Sequence, residues 1–293
     1  MKIDIGSTEA GFVVINKAPN MTSHDVVDSV RRIFVQRKVG HAGTLDPSAT
    51  GVLIVALGRA TRTLRLFNLL PKTYQCTILL GTSTDTLDDT GNITDTYDMD
   101  LVTDVEIEKA VLKLTGEIDQ IPPMVSAVKV AGKKLYEYQR ESKEVDRPVR
   151  KVNIYKFDVL DRVKNELKVE IKCSTGTYVR ALAQALGEYL GGGAYAKDIV
   201  RTAIGEFTID VAIELDSLVL GDILSIKEGL AFLTQIEVND NLEPKIINGS
   251  PVSRVELNAA GPGHFVVYSP NYNWIAIYET LGLDRLKPSL VIK

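Results

Sequence analysis

Cysteine and histidine are scarce in this chain. Two cysteines, Cys76 and Cys173, stand far apart among 293 residues and suggest no disulfide framework, as expected in a reducing compartment. Three histidines, His24, His41 and His264, form no zinc-like spacing with them, so no metal is expected. Long hydrophobic runs are missing too. The longest aliphatic stretch, VLIVAL at residues 52–57, is far too short to span a bilayer. The opening MKIDIGSTEAG carries an early acid and no apolar signal-like segment, so a cytoplasmic location away from any membrane is expected. There is no GxxxxGKS/T phosphate loop and no GxSxG elbow, and GGGAYA reads as a helix stop instead of a dinucleotide fingerprint.

Basic charge is in slight deficit. The net charge of −4 argues weakly against a nucleic-acid partner. The average conceals segregation, however. Residues 1–75 hold ten Lys/Arg against five acids, residues 76–119 hold two against eleven, and residues 129–172 hold thirteen against eight. Two basic blocks around an acidic one could line a phosphate-binding face. Solvated charge scattered over the surface is the plainer account of the same numbers.

What is present reads as an ordinary soluble chain, long enough for one large domain or two. TSHDVVDSVRRIF predicts a helix capped by Thr22 or Ser23, with Val26, Val27, Val30, Ile33 and Phe34 at helical spacing. The run at 52–57, closed by Gly51 and Gly58, predicts a strand buried on both faces. TYQCTILLG is a second strand, and DTLDDTGNITDTYD a polar loop. TDVEIEKAVLKLTG opens on a capping box, Thr103 to Glu106, and stops at Gly116. LKVEIKC alternates strictly and predicts a half-buried strand. STGTYVRALAQALGEYLGGG then gives a turn and a helix with Leu182, Leu186 and Leu190 in register. The mixture lacks a regular βαβ repeat, so the class is α+β, with the division expected at 1–238 and 239–293. The second part is a series of short strands separated by Gly, Pro and Asn turns.

Two residues break local rules. Asp46 stands in HAGTLDPSATG without a histidine or cysteine beside it. Asp-Pro can be a helix cap followed by proline at the first helical position. Pro47 also pushes Asp46 into extended backbone, and Gly40 and Gly43 leave room for close approach, which suits a nucleophile on a rigid loop. Arg180 falls in the first turn of a helix beginning near Thr177, where the macrodipole disfavours a cation. It is either an exposed arginine reaching outward or the partner of a carboxylate, which it would keep ionised at lowered pKa.

KVGHAGTLDPSATGVLIVALGRATR closely resembles the signature of the TruB family of tRNA pseudouridine synthases. The resemblance continues through NKAPNMTSHDVV, KTYQCTILLG, TDTLDDTG, IPPMVSAVKVAGKKLYEYQR and CSTGTYVRALAQALG, in family order across residues 11–205. It implies a mixed, mainly antiparallel sheet flanked by helices, ending in a small PUA-like RNA-binding domain. It also implies isomerisation of uridine 55 in the T arm of tRNA to pseudouridine, without guide RNA or cofactor, by a monomer. By this resemblance Asp46 is the nucleophile, Tyr74 stacks on the flipped base and relays a proton, and Arg180 pairs with Asp46. Tyr178 and Ile199 line the pocket, Asp88 contacts the base or holds its neighbours, and His41 enters the space the nucleotide vacates. Lys17, Lys129 and Arg201 are candidates for RNA-backbone contact.

The chain departs from the family pattern at NKAPN, where Asn20 stands for a usual glycine, and at Val125 and Tyr195. A guide-dependent synthase of the dyskerin type is disfavoured by the lack of basic tails. A non-catalytic tRNA-folding chaperone is disfavoured as sole role by the retained Asp46, Tyr74 and Arg180. A glycosidase pairing Asp46 with Asp85 or Asp88 finds no other support.

Overall fold

The structure is a computed structural model that describes residues 10–126, 128–141, 143, 145–239, 241–269 and 275–292. The reading of the first residues, and residue Asp240 beside the expected division, lie outside the described residues. Strand β1 (Gly11–Lys17) and helix α1 (Ser23–Ile33) lead to β2 (Val39–Ala42) and β3 (Thr50–Leu57). A 3-10 segment, Gly58–Leu69, turns the chain into β4 (Lys72–Leu80), followed by a small hairpin of β5 (Thr82–Thr84) and β6 (Ile93–Thr96). Next come α2 (Asp104–Lys113), β7 (Gly116–Gln120), the short strands β8 (Lys129–Val130) and β9 (Lys133–Lys134), and α3 (Leu135–Arg140). The long hairpin of β10 (Arg150–Val163) and β11 (Glu166–Cys173) precedes α4 (Val179–Tyr189) and β12 (Ala194–Ile204).

The short strands β13 (Phe207–Thr208), β14 (Ile213–Glu214) and β15 (Leu224–Ser225) complete the main sheet at its margins. Its order is β14-β1-β3-β12-β4-β11-β10-β7, with β1/β14 and β3/β12 parallel and the other pairings antiparallel. After α5 (Ile226–Gly229) a second sheet of five strands follows. It contains β16 (Thr234–Glu237), β17 (Val252–Ser253), β18 (His264–Tyr268), β19 (Ile275–Leu281) and β20 (Arg285–Ile292), with the short helices α6 (Glu243–Ile247) and α7 (Arg254–Leu257) between strands. This α+β architecture, a mainly antiparallel mixed sheet with helices and a curled C-terminal sheet, is the expected one. Among the described residues, no helix is long and apolar enough to cross a membrane.

Local signals explain most elements. Thr22 caps α1 in a reciprocal box with Asp25, and Thr103 caps α2 with Glu106. Ser23, the other candidate cap, is instead buried, and its hydroxyl bridges to Leu45, accepting from the amide at 2.9 Å and donating to the carbonyl at 3.2 Å. Ile33 is 40% exposed, whereas Phe34 packs inward, because the face turns away as the helix ends. The polar loop at residues 85–98 follows β5 and carries β6, which pairs back on it. Helix α4 starts at Val179, two residues after the expected Thr177.

The β3 run is buried on both faces for a visible reason. Leu53, Val55 and Leu57 pack with Val26, Val27 and Val30 of α1. Val52, Ile54 and Ala56 pack with Val266, Ile275 and Ile277 of the second sheet. Strand β16 pairs in parallel with β18, so the second sheet reaches upstream of residue 239, where the sequence reading divides the chain. The two sheets thus share one of the molecule's apolar clusters. Cutting at 238/239 therefore uncovers the β1/β3 face, and each large aliphatic exposed costs about 1.5–3 kcal/mol. A chain ending at Val238 is expected to lose at least several degrees of thermal stability, with the loss read by calorimetry against the full chain. An unchanged melting temperature would show that the second sheet adds nothing to the first.

Candidate active site

The loop between β2 and β3 is fastened along its length by buried donors. Arg201, 1% exposed, donates through Nε to Val52 O at 2.7 Å, through Nη2 to Gly43 O at 3.1 Å and through Nη1 to Thr44 O at 3.4 Å. Ser23 takes Leu45. Lys17, also 1% exposed, donates to Pro47 O at 3.2 Å and to the carbonyls of Ala18 and Met21. Asn20, in the left-handed conformation that its place in NKAPN requires, donates its amide to Pro47 O at 2.9 Å. Buried carbonyls need such partners. Glycine at position 51 allows β3 to lie against β12: its φ is +99°, and a Cβ there would stand 2.3 Å from Arg201 O.

Asp46 sits in the middle of this fastened loop. No helix follows it, so DPSATG is not a capped helical turn. Its Oδ2 receives Arg180 Nη2 at 2.8 Å. Arg180 is 2% exposed, which excludes the outward-reaching arginine. The same guanidinium lies 3.3 Å from Asp88 Oδ2 and donates to Thr86 O at 2.8 Å and Val125 O at 2.9 Å. These acceptors compensate a cation at a helix N-terminus. Asp88 is itself held by Thr86 Oγ1 at 2.6 Å and by the Thr90 amide at 3.1 Å. The start of α4 is fixed from behind by buried Gln120, which accepts from Tyr178 N at 2.7 Å and donates to Tyr178 O at 3.0 Å.

A cavity of about 270 Å³ opens above this pair. Asp46, Tyr74, Tyr178, Arg180, Ile199 and Arg201 all line it. Tyr74 lies in register with Ile171 on one side and Arg201 on the other. Ile199 reaches the cavity at an irregularity in β12, where the register shifts between Lys197 and Val200 and Asp198 takes φ +53°. A larger open hollow of about 650 Å³ lies between α2 and α4, lined by residues such as Leu112 and Tyr189. No comparable set of polar groups meets there.

Other expected residues fall elsewhere. Asp88 lies behind Arg180, 4% exposed and off the cavity wall. His41 is half-buried on β2, also off the wall, with its pKa lowered by burial first and by nearby Arg201 second. Lys17 and Arg201 are corrections: both are buried and spend their donors on backbone carbonyls, so neither presents a free cation to an RNA backbone. Lys129 is exposed in the β8–β9 hairpin. The sequence reading missed Lys72 and Ser126, which also line the cavity. Lys72 bonds the carbonyls of Phe67 and Leu70 and the Thr175 hydroxyl. Burial lowers its pKa to about 8. Its place directly before Thr73 and Tyr74 was the available signal.

Electrostatics at Asp46 run against the expectation of a lowered pKa. The carboxyl is raised above the ordinary carboxylate value, first by burial, with Arg180 pulling it down and Asp88 pushing it up. Its side chain keeps 38% of its surface open, but that surface faces into a narrow cavity, so burial dominates. One cation serves two carboxylates. Burial likewise raises the Tyr74 phenol, against a lowering by Arg201, so it stays protonated at neutral pH.

The family model described as "TruB family pseudouridylate synthase (N terminal domain)" matches residues 31–179. The tRNA pseudouridine synthase B of Bacillus cereus is 40% identical over 284 residues, covering 92% of each chain. That of Geobacillus thermodenitrificans is 38% identical over 283 residues, covering 92% of this chain and 94% of the other. Among solved structures, the crystal structure of a Cbf5-Nop10-Gar1 complex aligns with TM-score 0.72 at 23% identity, covering 96% of this chain and 83% of that one. The archaeal box H/ACA sRNP Nop10-Cbf5 complex gives 0.68 at 22% identity, covering 92% and 79%. Fold and matched segments together define a pseudouridine synthase class. Within that class, the chain belongs to the TruB family.

The raised carboxyl is directly measurable. In a carbon-13 NMR titration, Asp46 is expected to titrate above the ordinary carboxylate range. Arg180→Lys should move it further upward, because a lysine cannot hold the carboxylate with a planar guanidinium's fixed geometry. A wild-type value at or below the ordinary one would mean that Arg180 outweighs burial.

Proposed function

We propose that this chain converts uridine 55 in the T arm of tRNA to pseudouridine, acting without guide RNA. The observation that carries the reading is the Asp46–Arg180 pair at the floor of a nucleotide-sized cavity. The relatives named tRNA pseudouridine synthase B, aligned over nearly the whole chain, support tRNA as the substrate. A base can reach this floor only if it leaves its stack, at a cost of a few kcal/mol. Contacts spread along the T arm would offset that cost.

In the proposed reaction, Asp46 acts as nucleophile toward the flipped uridine, and the bond it forms breaks again before the product leaves, which regenerates the carboxylate. The bond from ribose C1′ to N1 breaks, the base turns, and a bond from C1′ to C5 forms. The C5 proton leaves and N1 gains one, so every atom is retained and no redox partner or cofactor is needed. Tyr74, a neutral phenol beside the floor, stacks on the base and relays the C5 proton. Arg180 keeps Asp46 ionised against the opposing effect of burial. Tyr178 and Ile199 bound the base laterally. Asp88 acts through Arg180, as its position behind the guanidinium supports. Lys129 supplies a candidate backbone contact from its exposed hairpin, and His41 fills the vacated stack. The residues from 239 onward serve as an RNA-binding unit, and the reaction takes place in the cytoplasm.

An unmodified T-arm stem-loop, incubated in EDTA as sole substrate, is expected to yield pseudouridine at position 55. Product that forms only after a guide RNA is added would reject the proposal. Asp46→Asn is expected to abolish turnover while leaving RNA affinity within a few-fold, since the amide keeps the shape but is a poor nucleophile. Single-turnover kinetics beside filter binding measure both. Substantial residual product from the asparagine variant would remove Asp46 from the chemistry.

A further inference from the structure

Ser126 is 6% exposed and lines the cavity with Asp46, Tyr74 and Arg180, yet its hydroxyl is buried without a hydrogen-bond partner among the described residues. Three neighbouring hydroxyls of the wall are engaged. Ser174 Oγ accepts from Asn153 N at 2.9 Å, Thr175 Oγ1 donates to Asn68 O at 2.8 Å, and Thr177 Oγ1 donates to Ser174 O at 2.9 Å. A buried hydroxyl left unpaired is costly, and such groups are rare in folded proteins.

The backbone that presents this hydroxyl is pinned. Ser126 N donates to Met124 O at 2.9 Å, and Ser126 O accepts from Tyr136 N at 3.2 Å. The preceding carbonyl, Val125 O, takes Arg180 Nη2 at 2.9 Å. The guanidinium that orients Asp46 therefore also sets the segment carrying Ser126. None of the described residues partners this hydroxyl, and Ser126 borders the cavity, so a molecule seated there is a candidate partner.

We propose that the Ser126 hydroxyl donates a hydrogen bond to a carbonyl oxygen of the uracil base in this cavity, fixing the base relative to Asp46. The proposal rests on the reading of the cavity as a uridine site. Uracil suits such a donor through the whole reaction. Turning the ring about its N3–C6 axis exchanges N1 with C5, and the same turn exchanges the two carbonyls. A single donor thus meets a carbonyl oxygen both before and after the turn.

The test combines Ser126→Ala with altered substrates. T-arm stem-loops carry uridine, 2-thiouridine, 4-thiouridine or 2′-deoxyuridine at the target position, and single-turnover rates, affinities and the melting temperature of each protein are measured. Sulfur is a weak acceptor, so wild type should lose rate or affinity on a thio substrate. The alanine variant should lose on the order of tenfold on uridine. For at least one thio substrate, the penalty seen with wild type should shrink by a similar factor. Its melting temperature should be unchanged or raised, because only an unpaired hydroxyl has been removed. Wild-type rates and affinities in the variant would overturn the proposal. So would an equal loss on every substrate with a lowered melting temperature, which marks a structural role. Selective relief on 2′-deoxyuridine alone would assign the contact to the ribose and reject the base. Failure of wild type to convert the uridine stem-loop would reject the uridine reading itself, a separate outcome from an unaffected variant.

Discussion

A single buried guanidinium joins four segments that are distant in sequence. Arg180, at the start of α4, meets Asp46 from the β2–β3 loop, Asp88 and Thr86 from the loop before β6, and Val125 from the segment before β8. A planar fork is suited to this, since its donors leave in fixed directions. Removing one member of such a pair typically costs about 3–5 kcal/mol, because the remaining charge stays buried. The balance of one cation against two carboxylates also has a chemical consequence. It leaves Asp46 with a pKa lifted by burial and restrained by Arg180, and it leaves Asp88 as the group that holds the guanidinium from behind.

Around this centre, cations serve as scaffolding. Lys17 and Arg201 bind the carbonyls of the loop that carries Asp46, and Lys72 binds those at the end of the 3-10 segment. Lys17, like Lys72, has its pKa brought down to about 8 by burial. Rigid placement of one carboxylate needs these donors because a loop has no ladder of its own to satisfy its backbone. Of these cations, Lys17 also lowers the Asp46 pKa, opposing the effect of burial. The basic residues of the first block are thus partly spent inside the protein, and its net charge says less about phosphate binding than their number suggests.

The central strand β3 ties the site to the rest of the molecule. One face rests on α1 and the other on the second sheet, and its edge against β12 is close enough to require glycine at position 51. The loop of Asp46 leads into β3, and Arg201 belongs to β12. Packing of the C-terminal sheet therefore bears on the position of the carboxylate, although none of its described residues lines the cavity.

Local order was legible in the sequence: the capped starts of α1 and α2, the alternation of β11 and the doubly buried run of β3. Each depends on residues only a few positions apart, where spacing alone sets which side chains share a face. Resemblance in motifs also brought out Asp46, Tyr74, Arg180, Tyr178 and Ile199, which the fold places around one cavity. The burial of Lys17 and Arg201, the upward shift of Asp46, the unpaired Ser126 hydroxyl and the shared core of the two sheets were decided by tertiary structure alone. Burial and pairing are properties of neighbours in space. A lysine or arginine carries the same letter whether water or a backbone carbonyl receives its proton, and only the packing of distant segments chooses between them.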